Sequence, residues 1–68
     1  MDGEHNLVVG TVWEHKYEHN YVMISDVHND IVTFADMQRL TRLVDLDKRV
    51  FMWNFVYDSG PYEGTGEL

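Results

Sequence analysis

Two runs of strand-forming residues, separated by only three polar residues, constrain the fold of this chain more than any other feature. Residues 21–27 and 31–35 are rich in β-branched and aromatic side chains, which fit a pleated sheet surface. Between them lies His28-Asn29-Asp30, and Asn and Asp tolerate the positive φ values that a tight turn requires. The sequence therefore predicts that the two runs form an antiparallel hairpin.

Further strands are predicted on both sides of the hairpin. Residues 7–13 are β-branched and aromatic, and Gly10 among them indicates a bulge or a close approach of another backbone segment. Residues 41–46 alternate in a way that a strand allows, although apolar residues from Met37 onward also recur at nearly helical spacing. We favour a strand over residues 41–46 because a capped helical turn and another β-rich run come directly after it.

The helical turn and the closing strand are predicted over residues 47–57. Asp47 can cap a short helical turn over residues 48–53, and residues 55–57 then form a β-rich run. Three apolar residues are predicted to share one face of this turn, at spacings of about one and two helical turns: Leu46, Val50 and Trp53.

The predicted architecture is mainly β. Five short strands with a helical turn before the last one are the layout of a small SH3-like antiparallel barrel, whose closure removes exposed sheet edges. The alternative is a three-stranded sheet with one helix over residues 36–53. A chain of 68 residues supports one domain with a small core, which we place at residues 1–57. Residues 58–68 contain three glycines and the only proline, which predicts a flexible Gly-rich C-terminal tail.

Composition excludes several functional classes. The absence of cysteine rules out disulfides and cysteine-ligated zinc. No apolar run reaches the roughly 20 residues of a membrane span, and the N-terminus lacks the segments of a signal peptide. We therefore expect a cytoplasmic protein without a membrane partner.

The charge is strongly negative. Twelve acidic side chains against five basic ones give a formal net charge of −7, which repels nucleic acid and anionic membranes at long range. The candidate acidic surface consists of Glu14, Glu18, Asp26, Asp30 and Asp36. A locally basic patch could come only from Arg39, Arg42, Lys48 and Arg49.

Four segments resemble small phage and prophage proteins of unknown function. They are Gly10-Thr11-Val12-Trp13-Glu14-His15-Lys16, Tyr21-Val22-Met23-Ile24, Ile31-Val32-Thr33-Phe34 and Arg42-Leu43-Val44-Asp45-Leu46-Asp47. Those proteins open with a Gly-x-Val-Trp/Tyr-x-His-Lys strand and look like SH3-like barrels. The resemblance covers about residues 10–57 and departs from the pattern where no clear glycine follows Lys16. It implies a phage accessory protein that acts by binding in the host cytoplasm, with no catalytic residues to transfer.

One segment spells the zinc motif of the inverted zincin proteases, H-x-x-E-H, at His15-Lys16-Tyr17-Glu18-His19. In that chemistry both histidines lie on one face of a helix, and a third protein ligand completes the zinc site. Here the motif falls between two predicted strands, with little room for a helix or a substrate cleft. We interpret it as a solvated loop, with incidental metal affinity as the alternative, and predict no metal site, no cofactor and no enzymatic activity.

Aromatic residues carry the remaining functional information. The chain has nine of them, more than a barrel of this size can enclose, and aromatic side chains are enriched at protein interfaces. We therefore expect an exposed apolar patch, flanked by Lys48, that docks a protein partner or a second copy of the chain. The candidate partner-binding residues are Tyr17, Arg49, Met52, Trp53 and Tyr57.

Three functions compete. The favoured one is a non-enzymatic protein-binding module that modulates a host factor or self-associates. The second is a single-stranded nucleic-acid-binding barrel, in which the basic residues of 39–49 contact phosphates and Trp53 or Tyr57 stacks on a base. The third is an acidic decoy that mimics DNA. Net charge opposes the second function and fits the third, although −7 is modest for a decoy.

Overall fold

The chain forms one antiparallel sheet of five strands, with a single α-helix before the last strand. The computed structural model describes residues 4–62. A 3₁₀ turn at Glu4–Asn6 is followed by β1 (Val12–His15), β2 (Tyr21–His28), β3 (Ile31–Asp36), β4 (Val44–Asp47), α1 (Lys48–Asn54) and β5 (Phe55–Ser59). The predicted mainly-β class is confirmed, and the three-stranded alternative is wrong.

The sheet is open. Its strand order is β4-β3-β2-β1-β5, so β4 and β5 are edge strands and do not pair with each other within residues 4–62. Helix α1 connects these two edges and packs against β3, β4 and β5. In the part of the chain that the structure describes, no helix is long and apolar enough to cross a membrane.

The predicted hairpin is confirmed, and its turn is tighter than expected. His28 pairs with Ile31, so only Asn29 and Asp30 connect β2 to β3. Asn29 has a φ of 56°, the left-handed conformation that asparagine tolerates better than most residues.

A β-bulge in β2 changes which side chains face the core. Ile24 pairs with Phe34 but Asp26 pairs with Thr33, so Ser25 is an extra residue on β2. Ile24 is buried before the bulge and Val27 packs against the core after it, which reverses the alternation of inward and outward side chains. Asp26 consequently points away from the core and is exposed.

The first strand begins later than predicted. Residues 7–13 were expected to form it, but β1 starts at Val12, because Thr11 closes a turn onto Val8. The Thr11 hydroxyl donates to the Val8 carbonyl at 2.7 Å and accepts from the Trp13 indole N–H at 2.9 Å. Thr11 and Trp13 are each 1% exposed, so this turn satisfies a buried donor that would otherwise cost stability.

Helix α1 begins where the sequence predicts it. The Asp47 carboxylate accepts from the backbone N–H of Arg49 at 2.8 Å, which is a helix cap. The predicted apolar face is wrong at Trp53, which is 69% exposed, whereas Phe51 is fully buried. The Phe51 ring stacks on Phe55 with centroids 4.5 Å apart.

Four aromatic rings form the centre of the core. Phe51 also meets Trp13 edge-on at 5.1 Å and Phe34 at 5.2 Å between ring centroids. Aliphatic side chains from the N-terminal segment, β2 and β3 complete the core: Leu7, Val22, Ile24 and Val32. Phe51 is the fully buried residue of α1, and Met52 adds a partly buried contact between the helix and the core.

The described structure continues beyond residue 57, where the sequence predicts the domain to end. Strand β5 continues to Ser59, and the Tyr62 backbone N–H then donates to the Gly10 carbonyl at 3.0 Å. Gly10 and Gly60 both have positive φ, and their backbones pack closely together. The rest of the predicted flexible tail, residues 63–68, lies outside the described residues.

Candidate functional site

Four of the five predicted partner-binding residues belong to one region, which we call the aromatic face: Tyr17, Arg49, Met52 and Trp53, together with Lys16. The backbone N–H of Lys16 donates to the Asn54 carbonyl at 2.8 Å, and its ammonium lies 3.5 Å from the Met52 carbonyl. These contacts hold the β1–β2 loop, and with it Tyr17, against the C-terminal end of α1.

The helix presents the rest of the aromatic face. Residues three and four positions apart lie on the same side of a helix, so Arg49, Met52 and Trp53 are neighbours, opposite the buried Phe51. Trp53 is 69% and Tyr17 is 71% exposed, and Met52 is partly buried against the core. Two large aromatic side chains are thus exposed on a short helix and a loop that backbone hydrogen bonds fix in place.

Tyr57, the fifth predicted residue, has different neighbours. Its ring packs edge-on against Trp13 with centroids 5.8 Å apart, and its hydroxyl donates to the Gly60 carbonyl at 2.7 Å. We therefore assign Tyr57 to the C-terminal segment rather than to the aromatic face.

The H-x-x-E-H motif forms a turn rather than a helix. His15 ends β1, and its Nδ1 accepts from the backbone N–H groups of Tyr17 and Glu18 at 3.2 and 3.1 Å. His19 has a φ of 63° and its Nδ1 lies 3.0 Å from a Glu14 carboxylate oxygen. Within residues 4–62 no three potential ligands are grouped in a way that could hold a metal ion.

The predicted acidic residues come from several elements of the fold. They are distributed over β1, the β1–β2 loop, β2, the hairpin turn and the end of β3: Glu14, Glu18, Asp26, Asp30 and Asp36. The acidic decoy function stays a prediction.

The predicted basic patch is divided as well. Arg39 and Arg42 lie in the β3–β4 connection, while Lys48 and Arg49 begin α1 at the other end of β4. Lys48 is engaged, because its ammonium lies 2.7 Å from a Glu4 carboxylate oxygen and 3.8 Å from one of Asp30. The hydrogen bond to Glu4 raises the pKa of Lys48 above its usual value.

A groove on the sheet face opposite the core was missed from the sequence. We call it the outer groove, and it is lined by Val12, Tyr21, Met37, Asp58, Ser59 and Tyr62. One pattern could have revealed it. Tyr21-Val22-Met23-Ile24 is apolar at four consecutive positions, which places apolar side chains on both faces of β2.

No protein-family model, curated protein or solved structure matches this chain. The resemblance to phage proteins therefore stays a prediction from the four quoted segments. Any functional conclusion depends on the geometry of the surfaces described above.

The hydrogen bonds of Asp36 make the stability of the protein depend on pH. Its carboxylate accepts from the Gln38 backbone N–H at 2.8 Å and from the Asn20 amide at 2.9 Å, and these bonds lower its pKa. A lowered pKa in the folded state means that the charged form stabilises the fold at neutral pH. This stabilisation is lost as the pH falls below about 4.

We expect Asp36→Asn to destabilise the protein at pH 7 and to have less effect at pH 3, measured by urea unfolding. Asp26→Asn is the matched control, because the Asp26 carboxylate makes none of the side-chain hydrogen bonds found within residues 4–62. An Asp36→Asn effect of the same size at both pH values would contradict the expectation.

Proposed function

We propose that the chain is a non-enzymatic protein-binding module, and that the aromatic face binds an apolar, acidic segment of a protein partner. One observation carries this proposal: α1 buries Phe51 completely on one side and exposes Trp53 on the other, and Tyr17 is exposed on the loop that is hydrogen-bonded to the end of α1. Leaving two large aromatic side chains in water is unfavourable unless another surface covers them.

The composition of the aromatic face supports a protein partner. Trp, Tyr and Arg are the residues that most often dominate binding energy at protein interfaces. Trp53 and Tyr17 are held by a helix and by a loop hydrogen-bonded to that helix, so little further ordering is needed when a partner binds. Met52 adds an adaptable apolar contact between them and the core.

Charge supports an acidic partner segment. Lys16 and Arg49 flank the exposed rings and form none of the salt bridges found within residues 4–62. The aromatic face therefore offers two positive side chains without a salt-bridge partner on a protein whose net charge is −7. Carboxylates next to apolar side chains on the partner would complement both features.

The proposal also covers the fold, the biological role and the cellular location of the protein. An SH3-like barrel is favoured because α1 spans from one edge strand to the other, and because bulges in β2 and β5 increase the bending of the sheet. The four quoted sequence segments support a phage accessory protein acting on a host factor. The absence of cysteine supports a cytoplasmic location.

Selection of binders from a random peptide library on the immobilised protein tests the proposal. We expect the selected peptides to be enriched in acidic and apolar residues, and Trp53→Ala to weaken their binding by at least about tenfold. Leu43→Ala is the control, since Leu43 is 58% exposed but lies in the β3–β4 connection. Equal binding by both variants would contradict the proposal.

The same variants distinguish the nucleic-acid alternative. A partner-binding face predicts peptide binding that persists at moderate salt and no saturable binding of single-stranded DNA. Salt-sensitive binding of single-stranded DNA that Trp53→Ala abolishes would replace the proposal with a nucleic-acid-binding function.

A further inference from the structure

The outer groove is a second candidate binding site, on different elements from the aromatic face. It is a shallow, open depression of about 430 Å³. Its side walls are partly exposed apolar or aromatic side chains: Tyr21 is 43%, Met37 is 39% and Tyr62 is 58% exposed. Val12, which is 7% exposed, forms the floor.

Strand register explains why these residues meet. Val12 pairs with Met23 and Glu14 pairs with Tyr21, so side chains of β1 and β2 alternate in step across the two strands. Because Val22 is buried in the core, its neighbour Tyr21 points to the opposite face of the sheet. The groove therefore forms where Val12 of β1 and Tyr21 of β2 place apolar or aromatic side chains on the outer face.

Tyr62, which forms one wall of the outer groove, is held in place by hydrogen bonds. Its backbone N–H donates to the Gly10 carbonyl at 3.0 Å, and its hydroxyl donates to the Ser59 hydroxyl at 2.8 Å. The close approach depends on glycine, because a Cβ on Gly60 would lie 2.9 Å from the Gly10 carbonyl oxygen. Two hydrogen bonds and a backbone contact thus position the ring before any ligand arrives.

The same hydrogen bonds orient a carboxylate in the groove. The Ser59 hydroxyl donates to Asp58 Oδ2 at 2.9 Å while accepting from Tyr62. Asp58 forms none of the salt bridges found within residues 4–62, and Oδ1 makes no hydrogen bond there. One carboxylate oxygen therefore stays available beside two tyrosine rings.

A neighbouring depression adds negative charge. It shares Tyr21 and Met37 with the outer groove and is lined in addition by Asp36. Asp36 is ionised at neutral pH, and hydrogen bonds from Gln38 and Asn20, together with the Arg39 charge, lower its pKa further. No Lys or Arg lines either depression in the described part of the chain.

We propose that the outer groove binds an arginine side chain from a basic peptide segment of a partner protein. A planar guanidinium stacks on aromatic rings and forms hydrogen bonds with a carboxylate, so Tyr21 and Tyr62 match its first mode of contact and Asp58 its second. Lysine would lose the stacking on the rings. Residues 63–68 of this chain contain no Lys or Arg, so that segment cannot supply the cation.

Titration with capped Gly-Arg-Gly, followed by NMR, tests this proposal. We expect saturable chemical-shift changes at Tyr21, Met37 and Tyr62, and weaker changes with capped Gly-Lys-Gly. The citrulline peptide, which keeps the shape but lacks the charge, is expected to cause no saturable change. Asp58→Asn is expected to weaken arginine binding about fivefold or more, by removing a charge-assisted contact.

Two controls separate a specific site from general attraction to a negative protein. Asp26→Asn removes one charge from β2 away from the groove and is expected to leave the affinity unchanged, and so is Trp53→Ala on the aromatic face. Equal shifts with citrulline, or equal weakening by Asp26→Asn and Asp58→Asn, would overturn the proposal. A loss of binding at the aromatic face alone would overturn only the function proposed above.

Discussion

Phe51→Ala is expected to leave a large fraction of the protein unfolded at room temperature. Phe51 is fully buried and its ring contacts Trp13, Phe34 and Phe55. Removing such a ring costs about 3–5 kcal/mol through lost burial and the cavity left behind. A chain of 68 residues has a total stability of only about 3–10 kcal/mol, so this loss is a large part of the whole.

Trp53→Ala is the matched control for Phe51→Ala. It removes a larger aromatic side chain from the same helix, two positions further on, but Trp53 is 69% exposed. The free energy of unfolding of the Trp53→Ala variant is expected to differ from that of the unchanged protein by less than about 0.5 kcal/mol. Urea unfolding followed by circular dichroism measures both variants. Similar losses in the two would mean that α1 does not bury the side that we describe.

Gly60→Ala is expected to destabilise the protein by about 1–3 kcal/mol and to detach Tyr62 from Gly10. Gly60 has a φ of 101°, a conformation that alanine adopts only with strain. The added Cβ would lie 2.9 Å from the Gly10 carbonyl oxygen and 3.0 Å from the Thr11 Cα. Both are backbone atoms, which cannot move aside as a flexible side chain would.

Urea unfolding and amide hydrogen exchange at Tyr62 measure the two effects of Gly60→Ala. Gly10→Ala is expected to cause the same loss of stability and the same detachment of Tyr62, because its Cβ would lie 2.9 Å from the Tyr62 carbonyl oxygen. Loss of arginine binding in these variants would follow from the displaced Tyr62 wall. Unchanged stability together with an unchanged exchange rate at Tyr62 would refute the structural account.

Features encoded by neighbouring residues could be predicted from the sequence. The hairpin follows from two β-rich runs and a turn at Asn29, and the helix start follows from Asp47, whose carboxylate caps the next residues. The start of β1 could not be predicted in the same way. It depends on the turn at Thr11 and on Gly10, whose conformation fits a contact with Gly60 and Tyr62 at the other end of the described chain.

The orientation of α1 shows a second limit of sequence reasoning. Residues 50–53 are four consecutive apolar residues, so periodicity alone does not decide which of them faces inward. Phe51 is the residue that faces inward, because its ring packs against Phe34 and Phe55. Strands far apart in the sequence supply those rings.

The candidate binding surfaces were predictable to different degrees. The expected excess of aromatic residues is found, because five of the nine are exposed. Met52 and Trp53 are close in sequence, so the aromatic face could be predicted. The outer groove could not be predicted from the sequence, because its lining residues come from β1, β2, the residue after β3, and the C-terminal segment.

The strands at the two margins of the sheet, β4 and β5, each pair on one side only within residues 4–62. The open edge of such a strand can template hydrogen bonding with another molecule, which favours fibre formation. Both margins carry carboxylates: Asp45 and Asp47 on β4, and Asp58 on β5. Molecules that approach margin to margin therefore meet like charge. The surplus of acidic residues is therefore expected to oppose association of two molecules through these margins, whether or not a binding partner is present.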